Sequence, residues 1–164
     1  MDPPGRAPVE QHPGDQFLHG RLWHDHVEEP APFNVVEHSP PVDALDDDYP
    51  LRLTTGRRLE SFNTGVQTGG YGSPLHVGGE ALRVSPEDGA RYGLVDGGRA
   101  RVTSRRGAIE APVAFDRALR PGLAFMNLHF PELTDTNVLT IDATDPRSGT
   151  AEFKATAIRV EALG

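Results

Sequence analysis

Two stretches of the chain carry side chains suited to holding a polar, anionic ligand. In the first, the apolar alternation of Leu51 and Leu53 runs into Thr54, Thr55, Gly56 and Arg57, and Asn63, Thr64, Gln67 and Thr68 follow among Gly65, Gly69 and Gly70. That pattern predicts a strand ending in a polar, glycine-permissive loop. Glycine lets backbone approach a ligand closely, hydroxyls and amides serve a polar heterocycle, and arginine offers a planar fork to phosphate. The same composition also fits a solvated loop after a strand. The second stretch ends at Lys154, the only lysine of the chain against fifteen arginines. A compact ammonium kept where every other cation is arginine suits contact with one anion; chance survival accounts for it too.

Other chemistries find less support. With no cysteine in the sequence, disulfides, iron–sulfur ligation, thiolate metal sites and thiol nucleophiles are all excluded for this chain. His24 and His26 would share one face of a strand, with His19, Glu28 and His38 nearby, but this segment is acidic and proline-rich and reads as a solvated tail. No Gly-x-Ser-x-Gly nucleophile elbow is present.

The elements that must position the polar stretches are short. From Tyr49 onward, brief strands alternate with turn signals. Ala81 to Val84 predicts a strand, and Ser85 then caps a helix with Pro86 at its first position and Asp88 completing a capping box. That helix stops at Gly93, and Gly89 inside it weakens it by ~1 kcal/mol relative to alanine. Asp96-Gly97-Gly98 is a turn, Arg99 to Ser104 a strand, Arg105-Arg106-Gly107 a tight turn, and Ala108 to Phe115 the antiparallel partner. Pro121-Gly122 suits a type II turn. Leu123 to Phe130 and Val138 to Ile141 are apolar enough for core strands, and Ala155 to Val160 ends the barrel with alternation. Short strands, one helix and no parallel crossover pattern predict a mainly β fold closed into a small barrel.

Charge divides the chain in two. Residues 1–48 hold eleven acids against Arg6 and Arg21, whereas residues 49–164 hold thirteen acids and fourteen bases. The first part is an acidic, proline-rich leader, and we expect its first sixteen or so residues to be disordered. Its scattered Phe17, Leu22, Trp23 and Phe33 suit a segment that docks on something, and Asp46-Asp47-Asp48 reads as a solvated linker. The second part is nearly neutral. It lacks the basic stripe that nucleic acid requires, and no apolar run approaches the ~20 residues that span a bilayer. We therefore expect a soluble cytoplasmic protein with no nucleic-acid partner and no membrane insertion.

The stretch from Leu51 to Thr68 resembles the opening of the molybdopterin dinucleotide-binding domain, the C-terminal domain of formate dehydrogenase-like molybdenum or tungsten oxidoreductases. The similarity continues in order through Ser85-Pro86-Glu87-Asp88, Ser104-Arg105-Arg106-Gly107, Arg120-Pro121-Gly122, His129-Phe130, Asn137-Val138-Leu139-Thr140 and Glu152-Phe153-Lys154. The resemblance implies a double-psi β-barrel with one or two short helices over residues 49–164, preceded by an irregular N-terminal leader. It implies a molybdopterin guanine dinucleotide as cofactor, held by Thr54, Thr55, Gly56, Arg57, Thr64, Gln67, Thr68, His129, Asn137, Phe153 and Lys154. By itself, Asn137 reads either as an amide meeting two edges of a heterocycle or as a turn-capping residue before a strand.

The expected role is that of a small subunit or detached C-terminal domain, not catalytic alone and with no metal ligand of its own. The metal is then held by the cofactor and by a larger catalytic subunit, because a chain without cysteine offers neither a thiolate nor a cluster for electron transfer. Many relatives have a histidine in the region of Glu60-Ser61-Phe62-Asn63, where Asn63 keeps hydrogen bonding without charge. That departure leaves open an alternative, a cofactor-free interaction or chaperone-like module on the same barrel. Gly72-Ser73 also resembles the self-processing bond of aspartate decarboxylases, which share the barrel type, but Pro74 follows directly in a loop-like segment.

Overall fold

Alternation of apolar and polar residues is what closes this fold. In β1 (Leu51–Gly56) the side chains of Leu51, Leu53 and Thr55 are buried while their neighbours are half-exposed, the period of two that puts one strand face on a core. The same alternation runs through β2 (Leu82–Val84), β3 (Arg99–Ser104) and β4 (Ala108–Phe115), whereas β5 (Leu123–Asn127) ends on two buried residues and β6 (Thr156–Leu163) begins with three. The computed structural model describes residues 35–59, 62–63, 80–129, 134–146 and 148–164. Within them the six strands close into a barrel in the order β1-β5-β2-β4-β3-β6. Its interior is filled by Leu51, Leu53, Leu82, Val102, Met126 and Ile158, each fully buried. Burial of each of these side chains contributes about 1.5–3 kcal/mol.

Two of the strand pairs are parallel, β1 with β5 and β2 with β4, and the rest are antiparallel. The sequence pattern shows no parallel crossover, so this corrects that expectation. The paired strands are far apart in the chain, and no described residue between them belongs to the long helix that usually announces a parallel pair. The barrel is a double-psi β-barrel, as the resemblance implied.

Local chemistry sets most element ends. Helix α1 (Pro86–Arg91) starts where Ser85 Oγ accepts from the Asp88 N–H at 3.0 Å and donates to Asp88 Oδ2 at 2.8 Å. It ends before Gly93, whose φ of 65° suits glycine. Gly122 turns into β5 with φ 84°, and its N–H donates to Asp88 Oδ2 at 2.9 Å. Val138 to Ile141, expected as a core strand, is instead the end of a 3-10 helix, η1 (Thr136–Leu139), and the residues after it. Asp135 Oδ1 accepts from the Asn137 N–H at 3.2 Å and Thr140 Oγ1 donates to the Asn137 carbonyl at 3.0 Å. Such short-range side-chain bonds compete with strand pairing, and of the three apolar positions, Val138, Leu139 and Ile141, only Leu139 is buried.

Residues Pro40–Gly164 form one compact unit, and its first residues are fixed to the barrel by a buried acid. Asp43 is 4% exposed. Its carboxylate accepts from Arg105 Nη1 at 2.5 Å, Arg106 Nη2 at 2.6 Å and the Ala157 N–H at 2.8 Å. Its own carbonyl accepts from Arg52 Nη1 at 2.6 Å. Burial would raise the Asp43 carboxyl, but the hydrogen bonds from Arg106, Ala157 and Arg105 outweigh it and hold the carboxyl below its ordinary value. Asp46, expected in a solvated linker, pairs with Arg105 as well. The Arg105-Arg106-Gly107 turn is thus present as expected, closed by Ser104 N–H to the Gly107 carbonyl at 2.8 Å, but its arginines serve as an anchor.

Asp43→Asn leaves two arginines facing a neutral amide. Removing one member of a buried pair costs about 3–5 kcal/mol, and the arginines here are a quarter to a third exposed. A loss of about 2–3 kcal/mol is expected in urea denaturation, with Asp47→Asn near zero. Because the folded carboxyl lies below its unfolded value, its stabilising effect is present at neutral pH and is lost as pH falls through the acid range, so the two proteins converge there. A second outcome concerns Gly89, where a Cβ would lie 2.4 Å from Phe115 Cζ. Gly89→Ala should lower stability by about 1 kcal/mol or more despite the better helix propensity; a rise in the urea midpoint would show that the ring yields freely.

Candidate functional site

Parallel pairing sets Gly56 beside Asn127, so β1 and β5 stop together at one end of the barrel. The segment before β6 runs along the same end, because Leu53 pairs with Thr156. Two bonds fix it there. Thr55 Oγ1 donates to the Phe153 carbonyl at 2.9 Å, and Lys154 Nζ donates to the Thr55 carbonyl at 2.9 Å. The Lys154 ammonium also lies 5.0 Å from the centre of the Phe153 ring. It forms no ion pair with a carboxylate among the described residues.

The neighbouring loops arrive at this end too. His129 is buried, and its Nδ1 lies 2.9 Å from the Phe62 carbonyl. A carbonyl can only accept, so Nδ1 carries the proton. Arg57 is exposed and its guanidinium lies 5.8 Å from the centre of the Phe62 ring. Asn63 adopts φ 53°, a left-handed conformation that asparagine tolerates better than most residues. Thr136 Oγ1 donates to the Asn127 carbonyl at 2.9 Å, tying η1 to the end of β5.

The expected site residues therefore divide. Thr55, Gly56, Arg57, His129, Phe153 and Lys154 are brought to one barrel end. Thr54 points to the outer face of β1, with Phe125 as its register partner on β5. The space that glycine leaves at Gly56 is taken by the Phe125 ring, whose Cε2 would lie 2.7 Å from an added Cβ. Asn137 lies on η1, exposed, with its side-chain oxygen accepting from Thr140 Oγ1 at 2.9 Å. The η1 N-cap is Asp135 and no strand follows directly, so Asn137 is not the turn cap before a strand; its side-chain oxygen is taken up by the C-cap residue Thr140. Thr64, Gln67 and Thr68 lie outside the described residues, as do His19, His24, His26, Glu28, Gly72 and Ser73. Among the described residues no cluster of His, Asp or Glu is arranged to hold a metal ion, and no helix is long and apolar enough to cross a membrane.

Sequence reasoning missed Glu80. It precedes β2, is 1% exposed, and its carboxyl oxygens accept no hydrogen bond. Burial pushes its carboxyl above the ordinary value, against the pull of the Asn127 and Ala81 N–H groups, which fall short of hydrogen-bond geometry, and of the more distant Arg58 and Arg83. The available signal was its parity with Leu82 and Val84, which places an acid on the inward register of a strand. On the outer face, Arg58, Leu59, Arg83, Asp116, Leu119 and Phe125 line an open groove of about 420 Å³, with Arg83 Nη1 3.9 Å from Asp116 Oδ2.

A barrel end with an ammonium, a guanidinium, hydroxyls, a fixed imidazole and a buried acceptor can hold a ligand that combines anionic groups with polar heterocycles. Comparison with known proteins agrees in kind. The family described as "Molydopterin dinucleotide binding domain" matches residues 51–157. The chain is 36% identical over 132 residues to the F420-dependent formate dehydrogenase 2 subunit alpha of Methanococcus maripaludis, covering 80% of this chain and 19% of that protein. It is 37% identical over 134 residues to the assimilatory nitrate reductase of Haloferax mediterranei, covering 79% and 18%. Against the assimilatory nitrate reductase catalytic subunit of Bacillus subtilis it is 30% identical over 160 residues, covering 94% and 22%. The chain thus spans about a fifth of the length of these relatives. Among solved structures, acetylene hydratase from Pelobacter acetylenicus shares the fold, with a TM-score of 0.64 at 16% identity over 77% of this chain and 21% of that one. The chain belongs to the molybdopterin dinucleotide-binding domain family, in which the cofactor bound is a molybdopterin dinucleotide.

Proposed function

We propose that this chain holds one molybdopterin guanine dinucleotide for a formate dehydrogenase- or nitrate reductase-like oxidoreductase, as a small subunit or detached C-terminal domain that is not catalytic alone. The observation that carries this is the Lys154 ammonium, held 2.9 Å from the Thr55 carbonyl at the shared end of β1 and β5 without an acidic partner among the described residues. A lone cation beside backbone that ends two parallel strands suits a pyrophosphate. Arg57 would offer a second phosphate contact, and Thr55, His129 and Phe153 would shape the floor. When bound, the dinucleotide supplies the dithiolene sulfurs that hold the metal. Everything else the reaction needs is assigned to a larger catalytic partner, consistent with a chain that covers about a fifth of its relatives and has no cysteine. We assign the leader to docking on that partner.

The test is recovery of the chain from its own host, followed by pterin, guanine nucleotide and metal analysis of what accompanies it. Stoichiometric pterin with a larger cysteine-rich partner is expected, and removal of residues 17–39, which spares Asp43, should lower partner recovery. Lys154→Ala should reduce pterin retention roughly tenfold to a hundredfold, the effect of one charge-assisted hydrogen bond. Its barrel should stay folded, because Lys154 is exposed and loses one bond to a carbonyl. The exposed Arg117→Ala should retain pterin fully. Recovery of the assembly with no pterin would support the cofactor-free interaction module instead.

A further inference from the structure

Strand pairing along β6 runs out where the candidate site begins. On one edge β6 stays paired with β1 as far as Thr156, opposite Leu53. On the other edge its pairing with β3 stops at Ile158, opposite Ser104, because β3 ends there and the chain turns back at Arg105. The backbone of residues 155–157 therefore carries polar groups that no strand among the described residues takes up on this edge. Two side chains take them up instead. Asp43 Oδ2 accepts from the Ala157 N–H at 2.8 Å, and Arg52 Nη1 donates to the Ala155 carbonyl at 3.0 Å. The same Nη1 donates to the Asp43 carbonyl at 2.6 Å, which joins the two substitutes to each other.

Lys154 is the residue next to this brace. Its ammonium reaches the Thr55 carbonyl at 2.9 Å, and Thr55 Oγ1 holds the Phe153 carbonyl on the other side. Lys154 is itself exposed. An exposed lysine is costly to order, and a ligand gains most from a cation whose backbone is already in place. Stability alone is a poor reason for the brace. A buried acid between arginines gains little net free energy over well-packed apolar side chains of the same size, although removing one partner is costly. What such a cluster does supply is a fixed geometry.

Resting on the function proposed above, we propose that Asp43 and Arg52 are positioning residues for the dinucleotide: they fix the backbone of residues 155–157, and through it the place of the Lys154 ammonium. Neither side chain touches the ligand in this arrangement. Asp43 is 4% exposed, with its carboxylate taken by Arg105, Arg106 and Ala157, and Arg52 commits Nη1 to two backbone carbonyls. Their effect on the ligand therefore passes through Lys154, and small displacements of a positioned group are enough to weaken its contact.

The experiment uses the assembly recovered from the native host and follows the rate at which it releases pterin, because changes in affinity appear mostly in the off-rate. Asp43→Asn and Arg52→Met are compared with wild type, each alone and combined with Lys154→Ala. Gly89→Ala serves as a variant destabilised at α1 instead. The first two should release pterin roughly threefold to tenfold faster than wild type. Combined with Lys154→Ala, neither should add to the release seen with Lys154→Ala alone, because residues that act through one ammonium are not additive. Gly89→Ala should release pterin at the wild-type rate. Arg52→Met leaves the Asp43 carboxylate with its partners, so it reads the brace even where Asp43→Asn does not assemble. Wild-type release from Arg52→Met, full additivity with Lys154→Ala, or equal acceleration by Gly89→Ala would each overturn the proposal. Faster release from Lys154→Ala but not from Asp43→Asn or Arg52→Met would remove this inference and leave the cofactor assignment standing; absence of pterin from the assembly would remove that assignment first.

Discussion

The carboxylate of Asp43 is the interaction on which the candidate site depends. It joins the chain before the barrel to the β3–β4 turn through Arg105 and Arg106, and to the start of β6 through the Ala157 N–H. Arg52 adds a bond to the Ala155 carbonyl at 3.0 Å, and the Val42 N–H donates to Glu152 Oε1 at 3.0 Å. The segment between Glu152 and Ala157 is thus held on both sides of Lys154. A long flexible side chain can act as a fixed cation only if its backbone is fixed, because ordering it costs rotamer entropy. The anchor supplies that order from outside the site, where its arginines need not compete with a ligand.

A polar barrel end carries its own difficulty, since buried polar groups must be satisfied. Much of this one is satisfied internally, by Thr55 with Phe153, Thr136 with Asn127, and His129 with Phe62. Among the described residues the Glu80 carboxyl and the Thr156 hydroxyl are the exceptions, and Glu80's raised carboxyl and Asp43's lowered one lie at opposite ends of the same rule. Burial alone favours the neutral acid, and donors reverse it.

Local signals made a good part of this legible in advance. The limits of β3 and β4, the Ser85 cap, and the turns at Gly97 and Gly122 follow from periodicity and turn chemistry, which act within a few residues. The resemblance carried the barrel type that periodicity does not encode, but the parallel pairs between strands remote in sequence emerged only from the structure. The η1 segment misled because Val138, Leu139 and Ile141 look like a strand, while Asp135 and Thr140 decide the matter through side-chain bonds to backbone. Gly89 looked like a small defect in a helix, and only the tertiary fold shows the Phe115 ring against it. Asp43 and Glu80 were hidden for one reason. A buried acid in a tail and a buried acid before a strand look like surface charges until their distant partners, or the lack of them, are seen.

The central claim is that one barrel end, built from the ends of β1 and β5 and the segment before β6, contacts the dinucleotide. Amide hydrogen exchange of the chain within its native assembly, compared with and without the cofactor, tests it most directly. The account predicts slowed exchange on cofactor binding concentrated at residues 54–57, 127–129 and 152–155, with the β3–β4 hairpin unchanged. Protection confined to the hairpin, or no difference at the barrel end, would contradict it.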